Sequence, residues 1–199
     1  NRSIERACVG LIDPVTKVTQ IAMETQLTLY DGITTQEMDE ATINAAVQNI
    51  KEDTEFDKVA TRLLLKTVYR RVIGEYEPTS DGLRLKHREH FPEHIKKGVE
   101  AGLLDVRMLE KFDLKKLSAV LDTRRDELFQ YAGLSGLLNR YALKDKDQHA
   151  SETPQYFFMR IAMGLSYNEA DPTAMAKKFY DKMSQLMFVA GGSTNLGAG

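Results

Sequence analysis

The sequence predicts an all-α protein, and three observations carry that prediction. Apolar residues recur at three- and four-residue spacings almost throughout, helix-opening signals precede many of these runs, and no stretch of any length alternates apolar and polar residues. Asp13-Pro14 opens the first clear helix: Asp caps it, and Pro sits where its missing N–H costs nothing. Val15, Val18, Ile21, Ala22 and Leu29 trace its apolar stripe, and Asp31-Gly32 ends it, Gly tolerating the left-handed cap. Thr34-Thr35-Gln36-Glu37 forms a capping box for the next helix, whose buried side is Met38, Ala41, Ala45 and Ile50. Phe56, Val59, Ala60, Leu63, Leu64, Val68 and Val72 line a third, closing at Gly74.

Glu75–Gly82 reads as a loop from its Pro, Ser, Asp and Gly content. Pro92 is expected to open a short helix through Ile95 and Val99 that stops at Gly102. Asp105 and Asp113 cap two further short helices carrying Val106, Leu109, Leu114, Leu117 and Val120. Leu134, Leu137, Leu138 and Tyr141 mark another helix, and the polar run Lys144–Glu152 a surface connection. Thr153-Pro154 and Asp171-Pro172 then open two amphipathic helices, lined by Phe157, Phe158, Ile161, Ala162 and Leu165, and by Met175, Phe179, Met183 and Leu186.

The 199 residues carry 27 Lys+Arg against 29 Asp+Glu, a formal charge of −2. That length fits one domain, or one with a small appendage. The near-neutral balance argues against coating nucleic acid, which calls for a basic excess. No apolar run approaches the roughly 18 residues of a membrane span, and no cleavable leader is recognisable. A soluble, cytoplasmic setting is expected. The single cysteine, Cys8, excludes an internal disulfide and a cysteine-rich zinc site. Both ends look cut: the chain begins Asn1-Arg2-Ser3 and stops in VAGGSTNLGAG (Val189–Gly199), four Gly in eleven residues. A flexible linker and an interrupted loop beside a ligand both fit that tail, and a piece of a longer polypeptide is expected.

Five features bear on chemistry. His87, His90 and His94 have spacings that bring imidazoles to one helix face, but Pro92 disfavours a helical Phe91, and a solvated polar segment is expected rather than metal. Asp122–Glu127 (DTRRDE) fits either an exposed ion-pair cluster or an Arg held by carboxylates for a turn or an anion. Lys66, Arg70 and Arg71 form a basic face that suits phosphate only if other groups converge on it. Cys8, between Ala7 and Leu11, reads as a buried core thiol. The backbone around Ser193, Thr194 and Asn195 is of the kind that cradles phosphate.

Five ordered blocks resemble the large subunit of ribonucleotide reductases. LYDGITTQEMDE (Leu29–Glu40) is similar to the segment joining the ATP-cone to the helical N-terminal domain. FDKVATRLLLKTVYRRVIG (Phe56–Gly74) resembles the family's Ala-Ala-Arg helix, with Thr61-Arg62 in place of Ala-Arg. LDTRRDELFQYAGLSGLLNRYALKD (Leu121–Asp145) resembles its Asp-Arg-Asp turn, Tyr-containing helix and Tyr-Leu-Leu-Lys stretch. SETPQYFFMRIAMGLS (Ser151–Ser166) is similar to its Glu-Thr-Pro-Gln helix. FYDKMSQLMFVAGGSTNLGAG (Phe179–Gly199) takes the place of the helix and Pro-Thr loop before the catalytic barrel.

The resemblance implies an end of an ATP-cone over residues 1–75 and the helical domain over 76–199, leading to a barrel outside this chain. It implies ribonucleotide reduction by radical chemistry, with Thr194 at the substrate's phosphate end and Ser193 replacing the usual Pro. The barrel cysteines lie elsewhere and Cys8 matches none, so no catalytic residue and no metal site is expected here, and the chain alone should be inactive. Thr35, Asp39, Thr67 and Arg70 fall where the cone's effector contacts occur, with ATP or dATP as effector, although the cone's basic hairpin is not in the sequence. The implied partners are the barrel segment in the same or a separate chain, a second large subunit, and a radical source. That source is either a metal-containing small subunit or adenosylcobalamin. Neither nucleic acid nor membrane is expected. The alternative is a non-catalytic helical regulatory or adaptor domain with the tail as linker.

Overall fold

The computed structural model describes residues 2–74 and 80–199. Among these it is helical, the only extended pairing being an isolated bridge between Lys144 and Ala150. The all-α expectation holds. The chain divides into two compact units, one of Asn1–Thr67 with Phe129–Ser135, the other of Val68–Leu128 with Gly136–Gly199.

The first unit is built from α1 (Arg2–Ala7), α2 (Pro14–Leu27), α3 (Thr35–Gln48), the start of α4 (Glu55–Ile73) and the start of α8 (Tyr131–Arg140). Ile4, Ala7, Cys8, Ile21, Ile43, Ala46, Phe56, Val59, Ala60 and Leu63 form its core. Cys8 is fully buried, and burial pushes its thiol up from the ordinary value. The capping box is complete: Thr34 Oγ1 accepts from Glu37 N at 3.2 Å and Glu37 Oε2 accepts from Thr34 N at 2.8 Å. Asp13 accepts from Thr16 N at 3.4 Å, as its position before Pro14 predicts.

Two expectations change here. Helix α2 ends at Leu27 rather than Asp31, because Thr28 N and Thr28 Oγ1 both donate to Thr25 O and close the helix. Its buried face is Lys17, Ile21 and Thr25, while Val15 is 73% exposed. An ionic cluster turns the helix that way: Lys17 Nζ lies 2.7 Å from Asp53 and 3.0 Å from Glu55 and donates to Ile12 O at 2.8 Å. On α3, Met38 is exposed and Ile43 is buried instead.

The second unit holds the end of α4, α5 (Ser80–Glu100), α6 (Arg107–Glu110), α7 (Leu114–Ser118), a 3₁₀ helix (Thr123–Leu128), the end of α8, α9 (Pro154–Leu165), α10 (Pro172–Ser184) and α11 (Gly192–Gly197). Thr153 and Asp171 cap α9 and α10 through Tyr156 N and Ala174 N, and the two helices pack on each other. Every residue from Pro154 to Met163 is buried, so α9 is the central helix of this unit. A helix apolar on one stripe would leave a face to solvent; this one is covered all round.

Pro92 does not open a helix; it lies inside α5. Residues 75–79 of the expected loop lie outside the described residues, and Ser80–Gly82 are already helical. Proline removes one helical hydrogen bond and crowds the preceding turn, but Phe91 and Ile95 are buried almost completely and their burial outweighs that local penalty. The connection Lys144–Glu152 is likewise not all surface, since Ala150 and Glu152 are buried. Replacing Pro92 by Ala should restore the lost bond and stabilise the protein by about 1–3 kcal/mol, read from the urea unfolding midpoint. A loss of stability instead would show that the ring itself is needed where it packs.

Candidate functional site

Helix α9 carries a charged side chain, Arg160, through an otherwise apolar interior. Arg160 is 2% exposed and Glu152 is 0% exposed. A buried guanidinium is tolerable only when paired and fully hydrogen-bonded. Arg160 Nη2 donates to Glu152 Oε1 at 2.9 Å and Nε donates to Oε2 at 3.1 Å, a two-pronged contact. Glu152 Oε1 also accepts from Leu143 N at 3.0 Å. Phe157 lies against the guanidinium, its ring centroid 5.3 Å away.

The outer edge of Arg160 faces the Gly-rich tail. Nη1 donates to Ala198 O at 2.6 Å; Nη2 reaches Asn195 O at 3.4 Å and Tyr141 O at 3.3 Å. The tail is therefore not the structureless stretch its composition suggests. It forms α11, Asn195 is buried with its Nδ2 donating to Ala190 O at 3.1 Å, and Asp105 N donates to Gly199 O at 2.8 Å. Gly164, one turn beyond Arg160, lies under it: a Cβ there would be 2.9 Å from the Ala198 carbonyl carbon and 2.6 Å from Gly199 N. Ser193 is exposed and Thr194 half-buried, both on α11.

Of the predicted effector residues, Thr35 and Asp39 lie one turn apart on α3, Thr35 exposed and Asp39 half-buried. Lys66 of α4 reaches Asp39 Oδ1 at 3.5 Å and donates to Ser3 Oγ at 2.7 Å. Thr67 spends its hydroxyl on Leu63 O at 3.1 Å, and Arg70 lies one turn further along α4, in the second unit. An open groove of about 350 Å³ in the first unit is lined by Glu24, Thr28, Tyr30, Ile33, Glu37, Glu40, Asn44 and Gln48 among others, and by none of the predicted effector residues. Its three carboxylates repel phosphate.

The histidine segment is a correction. His87, His90 and His94 share one face of α5 and surround Tyr156, with ring centroids 5.2, 6.2 and 4.7 Å from it. His87 is fully buried, so the segment is a packed aromatic cluster rather than a solvated stretch. Burial pushes His87 and His94 down to about 4, which keeps both neutral at pH 7. Among the described residues the one metal-like grouping is Asp145, Asp147 and His149, in the α8–α9 connection, where Asp145 Oδ1 already accepts from two backbone N–H groups.

Asp122–Glu127 divides between the two readings. Arg124 pairs with Asp122 at the surface, at 2.7 Å, as an exposed cluster would. Arg125 instead pairs with Asp181 at 2.8 Å and lies over the Tyr180 ring, and Asp126 is buried, accepting from Tyr69 Oη and from Gln155 Nε2 at 2.7 Å. Burial pushes the Asp126 carboxyl up to about 7, against the lowering effect of those two donors.

Residues 127–199 match the family described as "Ribonucleotide reductase, all-alpha domain". Over 170 residues the chain is 36% identical to the ribonucleoside-diphosphate reductase subunit alpha of Chlamydia trachomatis serovar D, covering 85% of this chain and 16% of that one. It is 35% identical over 167 residues to the same subunit of Helicobacter pylori 26695, covering 83% and 20%. With the ribonucleoside-diphosphate reductase 1 subunit alpha of Escherichia coli K12 the figures are 26% over 191 residues, 92% and 24%. Over this region the chain is similar to the large subunits of ribonucleotide reductases.

The chain thus spans between about a sixth and a quarter of the length of these curated relatives. The matches do not favour the adaptor alternative. Within the reductase all-alpha domain, two residues that sequence reasoning passed over are Glu152 and Arg160. Their signal was present: one Arg inside FFMRIAMG, with an acid eight residues upstream, requires an internal partner.

Glu152→Gln should destabilise the domain by about 3–5 kcal/mol in urea unfolding, because it leaves Arg160 buried and unpaired. Asp126 has the opposite sense from an exposed acid. Its folded pKa of about 7 lies above the ordinary 3.8, so its favourable neutral state is fully present below pH 3.8 and lost as pH rises through 7. Asp126→Asn should therefore show a smaller fall in melting temperature than the parent chain between about pH 4 and about pH 7. Parallel pH profiles would contradict the buried, neutral assignment.

Proposed function

We propose that this chain is the N-terminal part of a ribonucleoside-diphosphate reductase large subunit, and that it helps make deoxyribonucleotides by presenting its tail to the substrate. The observation that carries the reading is the similarity along 83–92% of the chain to relatives of that name. The seated tail supports it, since Thr194 and Ser193 ride on a short helix anchored to the central helix of the domain. The substrate is a ribonucleoside diphosphate, with Thr194 at its phosphate end.

The radical and the redox cysteines belong to other parts of the subunit and its partners. Cys8 supports this division, because a buried thiol pushed away from its thiolate is a poor nucleophile. The partner surface for the catalytic barrel is the tail's own margin: Met187, Phe188, Val189 and Leu196 are exposed there, an apolar group that a further packed layer would cover. A second large subunit, and a radical source in the form of a metal-containing small subunit or adenosylcobalamin, complete the assembly. The setting is cytoplasmic; among the described residues no helix is long and apolar enough to cross a membrane. ATP or dATP acts as effector through Thr35, Asp39, Thr67 and Arg70, a reading supported by the meeting of Asp39 with the cationic Lys66.

The test is reconstitution. A barrel fragment should reduce ribonucleoside diphosphates only when this chain is supplied or fused; full activity without it sinks the reading. In the assembled enzyme Thr194→Ala should raise KM about tenfold, the size of one lost hydrogen bond to a charged group, with a smaller change in kcat.

A further inference from the structure

We propose that Arg160, oriented by Glu152, is the positioning residue for the substrate-facing tail. The inference rests on the reading above that Thr194 meets the substrate. A helix leaves its last carbonyl oxygens without internal partners. In α11, Thr194 O accepts from Ala198 N, which leaves Asn195 O and Ala198 O to be satisfied from outside the helix. Arg160 meets both, from a side chain rooted in the most buried helix of the domain.

Only a guanidinium fits this task. Its five N–H donors lie in one plane, and here one edge is filled by Glu152 while the other reaches Tyr141 O, Asn195 O and Ala198 O. A Lys ammonium at the same position has three donors on a single nitrogen and cannot span a carboxylate and two tail carbonyls. Glu152 is itself fixed by Leu143 N, so the pair has little freedom to rotate away.

A second feature of α9 acts on the same segment without using charge. Gly164, one turn from Arg160, allows the Ala198–Gly199 peptide to lie directly on the helix, in space that any Cβ would occupy. Electrostatic and steric fit therefore converge on the residues that follow Thr194, and together they set where its hydroxyl stands.

The test uses the assembled reductase with three alterations of this segment: Arg160→Lys, Gly164→Ala, and the double change Glu152→Gln with Arg160→Met, which removes the charge from both partners at once. Each should raise KM for the ribonucleoside diphosphate about tenfold with a lesser effect on kcat, at temperatures where melting shows the variant folded. Each should also expose residues 190–199 to limited proteolysis in the isolated chain. Arg160→Lys keeps the charge opposite Glu152, so a purely structural Arg would be rescued by it and KM would stay at the parent value. Parent KM in both Arg160→Lys and Gly164→Ala, beside a raised KM in Thr194→Ala, would overturn the positioning role while leaving the substrate reading intact. Parent KM in Thr194→Ala itself would overturn both.

Discussion

The second unit is organised around one buried ion pair. Taking Glu152 and Arg160 out of water costs several kcal/mol per ion, and mutual attraction offsets this only if the remaining donors and lone pairs are also met. That requirement reaches outward. It fixes the α8–α9 connection through Leu143 N and Tyr141 O, and it fixes the tail through Asn195 O and Ala198 O. The α8–α9 connection, α9 and the tail are held in register by the hydrogen-bond demands of this one ion pair.

Around this pair the packing is aromatic and neutral. Tyr156 donates to the His87 carbonyl at 2.8 Å and stands among three imidazoles, of which burial keeps His87 and His94 uncharged. Tyr69, Asp126, Gln155 and Tyr180 form a second internal network that ties α4, the 3₁₀ helix, α9 and α10. Such networks contribute specificity more surely than stability: each member is satisfied only in one arrangement of the helices. A rigid scaffold of this kind suits the proposed task of holding the tail still.

Much of the fold was legible in the sequence. The capping box at Thr34, the caps before Pro14, Pro154 and Pro172, and the stripe on α4 are local signals, and local physics decided them. The errors have a common cause, which is tertiary contact overriding a local preference. Pro92 disfavours a helix, but Phe91 and Ile95 are buried on either side of it. Val15 reads as part of the buried stripe of α2, but Asp53 and Glu55 draw Lys17 inward and Val15 is left exposed. By its glycines the tail fits a linker and a loop beside a ligand equally, and one of the contacts that seats it belongs to a residue some forty positions earlier. Ser193 and Thr194 could be named from family resemblance; Arg160, which bonds the carbonyls of Asn195 and Ala198 just after them, could be found only by asking where a lone charge in an apolar helix finds its partners.

The contacts from Arg160 require the tail to be a held element rather than a linker. Amide hydrogen exchange of the parent chain at Asn195 and Ala198 tests it most directly, since those N–H groups bond to Gly191 O and Thr194 O within α11. Protection comparable to the ends of α9 is the expected result. Exchange at the rate of an unstructured peptide would contradict the account, because an Arg160 clamp that leaves its own segment open positions nothing.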